Sequence, residues 1–320
     1  MLKTTREVET SAKPYYWPLY WLIVLMLVSS NVKAAETLLL LSSDNPAYQT
    51  VATSIISQGP TIPIDTSYPD NLSNNTTSHL TGYSLLITVG SKATEFAMQF
   101  AAEDSVILST FIPSQGYHKL SEEYATQLNA RRISATAIYL DQPLERQLKL
   151  ATQIKPDLKR LGFSLGPDSQ YLLPQIESAA AKMNLSLTYQ TLTLESNPIQ
   201  RIQPVMENSD LFMVIPDQST LNRTTAKWLL YMSLRNRVPL LAFSQNYVKA
   251  GAVAACITTP EEIGRYTAEQ LHSIMQGTVP LPSYSPYFTI ITNPRVARKL
   301  GLKIKTADEL QQTIVESEAR

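Results

Sequence analysis

"LFMVIPDQSTLNRTTAKWLLYMSLRNRVPLLAFS", residues 211–244, is the stretch that decides the fold. Leu211 to Ile215 is an apolar run that ends on Pro216 and Asp217. A helix-period segment from Asn222 to Asn236 follows, and "PLLAFS" (239–244) is apolar again. Both short runs are apolar at successive positions rather than at alternate ones. Strands of that kind belong in a parallel sheet covered by helices on both faces, with the intervening helix as the crossover.

The alternation extends in both directions. Upstream, "TLLLLSS" (37–43), "SLLITVG" (84–90) and "SVILSTFI" (105–112) read as strands; "AYQTVATSIISQ" (47–58), "KATEFAMQFAA" and "SEEYATQL" read as helices between and after them. The segment 59–83 is polar and rich in Pro, Ser and Asn, a short strand around "TIPID" plus an exposed loop. Its Asn-x-Thr triplet at Asn74, Asn75 and Thr76 reads as loop polarity. From 133 the pattern restarts: "ISATAIYL", "RLGFSLG", "LSLTYQTL" as strands, "PLERQLKLATQI", "SQYLLPQIESAAAKM" (with a proline inside it) and "PIQRIQPVMEN" as helices. Two successive α/β units of similar size imply two lobes. Downstream, "TTPEEIGRYTAEQLHSIMQG" carries Thr259 as cap, Pro260 at the first helical position, Glu262 three after the cap and Gly277 as stop. A strand "YFTIIT" and a short helix "NPRVARKLG" follow it.

The chain has 320 residues, 44% hydrophobic and 17% charged, which suits one large or two medium cores. Lys plus Arg and Asp plus Glu both total 27, so no basic excess points to nucleic acid. Residues 1–34 read as a signal peptide: Lys3, Arg6 and Lys13 precede the apolar "YYWPLYWLIVLMLV", and Val32 and Ala34 fit a cleavage site after Ala34. The alternative is an uncleaved membrane anchor, although the run is shorter than the roughly 20 residues that span a bilayer comfortably. Cys256 is the one cysteine, so no intramolecular disulfide forms and no lipid attaches near the cleavage site. A periplasmic, freely soluble protein is the expectation.

Catalytic chemistry is hard to find. His79, His118 and His272 fall on a loop, a loop and a helix without metal-ligand spacing, and no serine sits in a G-x-S-x-G elbow. "VGSKATEF" has neither phosphate-cradling nor dinucleotide spacing, and the chain has 10 glycines in all. No catalytic residue, metal or cofactor is expected, and an enzyme ranks last.

Ligands of open parallel sheets bind beyond the carboxyl ends of the strands, where helix amino termini and loop amides converge. Here those ends are Ser42 and Ser43, the run from Gly90 through Ser91 to Thr94, Thr110, Asp217 and Ser244. Hydroxyls and a single acid suit a small zwitterion or neutral polar compound, the acid pairing an ammonium. Each position also has a structural reading: Ser91 as a helix cap, Asp217 as the residue closing the turn before Asn222.

The order of these motifs resembles a known family. "VGSKAT", then "YLDQPLERQLKLATQIKPDLKRLGFSLGPDS", then "VIPDQSTLNRTTAKWLLYMSLRNRVPLLAFSQNYVKAGAVAACITTPEEIG", then "FTIITNPRVARKLGL" is similar to the ABC-transporter substrate-binding proteins that include tryptophan and other aromatic amino-acid binders. The resemblance covers roughly 84–302. It implies a class I periplasmic-binding-protein fold, α/β, of two Rossmann-like lobes joined by three crossovers. It implies lobe one as 35–141 plus 245–284 and lobe two as 142–244 plus 285–320, with "FSQNYVKAGAVAA" returning the chain to lobe one. "GSKAT" looks like the family's G-[ST]-x-A-T loop, which puts Ser91 and Thr94 at the cleft, and Asp217 looks like the polar residue ending the matching strand of lobe two. Ser43, Ser91, Thr94, Asp217 and Ser244 are therefore the expected ligand-binding set. "ARRISATAIYL" lacks the family's P-G-G-N-[IV]-T-G glycines, and "STFIPSQGYHKL" departs from the usual proline-rich loop, so the ligand does not carry over.

The leading expectation is a monomeric periplasmic solute-binding protein that closes on a small polar solute and hands it to an ABC permease. The alternative is a ligand-sensing module for a membrane receptor or kinase.

Overall fold

The computed structural model describes residues 36–72, 80–217 and 219–318. Residues 1–34, read above as a signal peptide, lie outside the described residues, as do His79 and the Asn74–Thr76 triplet. Lobe one opens with β1 (Thr37–Leu41), α1 (Pro46–Gln58), β2 (Ile64–Ser67), α2 (Pro69–Leu72), β3 (Leu85–Val89), α3 (Ser91–Phe100), β4 (Val106–Ile112), α4 (Ser114–Glu123), α5 (Ala125–Ala130) and β5 (Ser134–Tyr139). Lobe two continues with α6 (Leu144–Ile154), β6 (Arg160–Leu165), α7 (Leu173–Lys182), β7 (Ser186–Thr191), α8 (Pro198–Glu207), β8 (Leu211–Met213), α9 (Arg223–Asn236), β9 (Leu240–Ala242), α10 (Gln245–Ala250) and β10 (Ala254–Ile257). The chain then crosses back for α11 (Pro260–Met275) and β11 (Ser283–Tyr284), and returns to lobe two for β12 (Thr289–Thr292), α12 (Pro294–Lys299) and α13 (Ala307–Glu318).

The strands make two six-stranded sheets, in the orders β11-β5-β4-β3-β1-β2 and β12-β10-β9-β8-β6-β7. Every pairing in the first is parallel, and in the second only β12 runs antiparallel, to β10. The double-faced apolar runs explain this burial. In β1, Leu38 and Leu40 join one core cluster while Leu39 and Leu41 join the cluster on the opposite face. In the opening stretch, Leu211, Met213 and Ile215 pack on one side of the second sheet, and Phe212 and Val214 on the other. Each such side chain contributes on the order of 1.5–3 kcal/mol on burial, so four apolar layers hold two sheets without a disulfide.

The capped helix expected at Thr259 is α11, and its capping box is complete: Thr259 Oγ1 accepts from Glu262 N, and Glu262 accepts from Thr259 N at 2.7 Å. It packs against α1 at close range. A Cβ on Gly264 would stand 2.4 Å from Ser54 Cβ and 2.7 Å from Val51 O, so glycine is what lets the two backbones approach.

Four expectations change. The return to lobe one falls after Ile257 rather than at 245: β10 pairs with β9 and β12, so 245–257 belongs to lobe two. "FSQNYVKAGAVAA" therefore does not carry the chain back, because its last residues form β10, a strand of the second sheet. His118 lies on α4, which begins at Ser114 and takes up most of the stretch read as a loop. Pro174 sits in the first turn of α7 instead of inside a helix, where its missing N–H needs no partner.

Candidate functional site

The site is built where the carboxyl ends of both sets of parallel strands meet. A cavity of about 390 Å³ is lined by Pro113 and Ser114 after β4, Asp141 after β5, Tyr284 of β11, and from lobe two by Tyr171, Met213 to Pro216, Phe243 and Ser244. The crossover residues Gln142 and Thr258 floor it. Its walls are mostly apolar and aromatic. Among the described residues its lining has one carboxylate, Asp141, and no lysine, arginine or histidine.

A bulge aims the lobe-one side. The pairing of β4 with β5 shifts register between Thr110 and Ile112, and Phe111 between them adopts φ 54°. A non-glycine residue in that region is strained by about 1–2 kcal/mol, which packing must offset; the Phe111 ring meets Tyr48 edge-on at 5.7 Å. The bulge leads directly into Pro113 and Ser114. Ser114 then donates from its N to Asp141 Oδ1 and from its Oγ to Asp141 Oδ2, both at 2.6 Å. Burial pushes the Asp141 carboxyl above its ordinary range, against the two Ser114 bonds and His118, which pull it down. Burial likewise raises Tyr171, and raises Tyr284 to about 12, so both phenols keep their protons at neutral pH. The Tyr284 ring meets Tyr139 edge-on at 5.0 Å.

The three crossovers are cross-tied beneath the cavity. Gln142 donates to Thr258 Oγ1, and Thr258 donates to Tyr287 O at 3.3 Å. Arg146 donates to Gln142 Oε1 at 2.8 Å and Ser285 O at 3.2 Å, and forks onto Glu318 of α13 at 2.8 and 2.7 Å with Phe288 stacked 4.2 Å below its guanidinium. Segments 140–143, 257–259 and 285–288 thus share one hydrogen-bonded knot, where the chain passes between the two sheets.

Of the expected residues, Ser244 lines the cavity and also caps α10, its Oγ accepting from Tyr247 N at 3.4 Å. Ser43 and Ser91 are exposed at the ends of β1 and β3, outside the cavity walls. Thr94 is buried, donating to Gly90 O at 3.0 Å and paired with Thr88 at 2.9 Å. Asp217 is buried too, and its carboxylate is filled: Oδ2 accepts from Asp168 N (3.1 Å) and Ser169 Oγ (2.8 Å), Oδ1 from Thr220 N (3.1 Å) and Thr220 Oγ1 (3.0 Å). It ties the loop after β6 to the loop after β8. A Cβ on Gly166 would lie within 2.4–2.5 Å of that carboxylate, so the loop closes only around glycine. The residue that sequence reasoning missed is Asp141. Its signal is "IYLDQP", where a carboxylate follows the strand "ISATAIYL".

Residues 83–314 match the family described as ABC transporter substrate binding protein. The chain belongs to that family. Solved structures that resemble this substrate-binding protein agree in fold. A ligand-free, open substrate-binding protein with adhesive properties from Clostridium difficile has TM-score 0.67 at 18% identity, covering 86% of this chain and 97% of its own. A conserved domain protein from Vibrio cholerae has TM-score 0.57 at 17% identity, over 88% and 98%. An ABC domain from Streptococcus pneumoniae, solved with L-Trp, has TM-score 0.55 at 13% identity, over 86% and 98%. A search of curated proteins finds no significant match. The two parallel sheets with their alternating helices make this substrate-binding protein a type I periplasmic-binding-protein fold.

Proposed function

We propose that this substrate-binding protein captures a small solute in the interlobe cavity by hinge closure and delivers it to an ABC permease. The observation that carries the reading is the cavity itself: its walls come from the strand ends of both lobes, and its floor is the knot of three crossovers. Lobe rotation about segments 140–143, 257–259 and 285–288 changes the cavity without disturbing either sheet. Affinity comes from closure over a desolvated site, and no bond is made or broken.

In this reading Asp141, Tyr171, Tyr284, Phe243 and Ser244 face the solute. Ser43 and Ser91 meet it from the rim of lobe one as the lobes approach. Thr94 and Asp217 act from behind, Thr94 by fixing the start of α3 and Asp217 by holding the loop that carries Tyr171. The chain works as an exported monomer in the periplasm, its leader removed after Ala34; the intact mass of the envelope form checks the cut.

Closure is tested with donor and acceptor dyes on exposed positions of the two lobes, such as Glu95 and Lys227. A solute that binds shortens the interdye distance as it raises the melting temperature. A distance unmoved by any bound solute refutes capture by closure.

A further inference from the structure

Resting on that reading, we propose that the solute is an organic cation, an amine with an apolar body and no carboxylate, its charged nitrogen held by Asp141 beside the rings of Tyr171 and Tyr284. The first support is charge. Among the described residues the cavity lining has a single ionisable carboxylate and no basic side chain to neutralise a second anion. The buried guanidinium that bonds the lining residue Gln142 is that of Arg146, and it is committed to Glu318 through two further hydrogen bonds. A solute carboxylate enclosed here would be desolvated without a cation, which is strongly unfavourable.

The second support is the state of the helix amino termini. Backbone amides at such ends are the usual alternative partner for an anion. At α4 the first amide, Ser114 N, already donates to Asp141, so the protein supplies its own anion there. At α10 the Ser244 hydroxyl occupies the cap. At each of these two ends a protein acceptor already holds one amide, Ser114 N at α4 and Tyr247 N at α10, which reduces the donors left for a solute carboxylate.

The third support is the geometry around Asp141. The carboxylate accepts two bonds from Ser114 and one from its own backbone amide, and of its roughly four lone-pair sites one stays open to a further donor. Tyr171, Tyr284 and Phe243 line the same cavity, and cations bind aromatic faces favourably, the more so when desolvated. The apolar wall from Met213 to Pro216 suits the body of the solute.

Three compounds with one body separate the charges: tryptamine (cation), tryptophan (zwitterion) and indole-3-propionate (anion). Each is titrated calorimetrically into the wild type and into Asp141→Asn, with interlobe distance followed in parallel. The expected order is tryptamine tightest and indole-3-propionate without detectable heat. Asp141→Asn, whose amide oxygen still accepts from Ser114 N while its NH2 can donate to Ser114 Oγ, should lower tryptamine affinity roughly tenfold or more with the chain still folded. Tryptophan or indole-3-propionate binding more tightly than tryptamine overturns the cation but leaves solute capture standing. Tryptamine binding equally to Asp141→Asn overturns the role of Asp141. Failure of every compound, with closure still produced by an uncharged solute, overturns the cation alone; absence of closure with any solute removes both readings.

Discussion

Asp141 follows β5 in lobe one and Asp217 follows β8 in lobe two, each a few residues beyond a parallel strand whose end faces the same cleft. Their surroundings separate them. Asp217 accepts from four donors on two loops and is withdrawn from the cavity. Asp141 accepts from the backbone and hydroxyl of one serine and stands on the cavity wall. A carboxylate at a strand end is thus a structural tie or a ligand group according to how many donors the neighbouring loops supply. "GPDS" and "DQST" each bring a small hydroxyl residue to Asp217, whereas Asp141 draws on Ser114 and on its own backbone amide.

The largest effect expected of this contrast is on stability. Asp217→Ala orphans Asp168 N, Ser169 Oγ and the Thr220 donors, and should lower unfolding free energy by about 3 kcal/mol in urea melts. An unmoved midpoint would mean that Asp217 is no tie and would collapse the comparison. Gly166→Ala drives a methyl against the same carboxylate and should lower stability by about 2 kcal/mol, with solute binding weakened through the displaced Tyr171. A variant as stable as the wild type would show that the loop gives way easily.

The fold was legible because burial leaves a direct trace. Runs such as Leu38–Leu41 and Leu211–Ile215 are apolar at successive positions only when both faces are covered, and that dictates parallel strands between helices. The capping box at Thr259 and Glu262 marked α11 for the same local reason. A second box went unread: Thr306 and Glu309 exchange bonds at 2.8 and 3.3 Å at the start of α13, signalled by "TADE". The sheet switch was illegible locally, since β10 is short and apolar and would suit either sheet; which one it joins is decided by pairing with β12, some thirty residues on. The site divided in the same way. Strand ends were found, and Ser244 with them, but availability of a side chain depends on donors from distant loops: Asp168 and Ser169 lie about fifty residues from the Asp217 they fill.

The smallest expected effect is the sharpest on sign. Burial raises the Asp141 carboxyl above its ordinary 3.8, against Ser114 and His118. The folded chain therefore keeps a proton that the unfolded chain has released, so this group favours folding at low pH and weakens it as pH climbs from about 4 through the raised folded value. Asp141→Asn removes the dependence. The melting temperature of the variant minus that of the wild type should then increase from pH 4 to pH 7. The groups facing Asp141 are His118 on α4, Tyr139 on β5, Tyr171 and Tyr284, and repeating the pair in a His118→Gln background isolates the carboxylate from the one facing imidazole. Saturating tryptamine should reverse the slope in the wild type, since a bound cation stabilises the ionised carboxylate and its contribution then increases as pH rises.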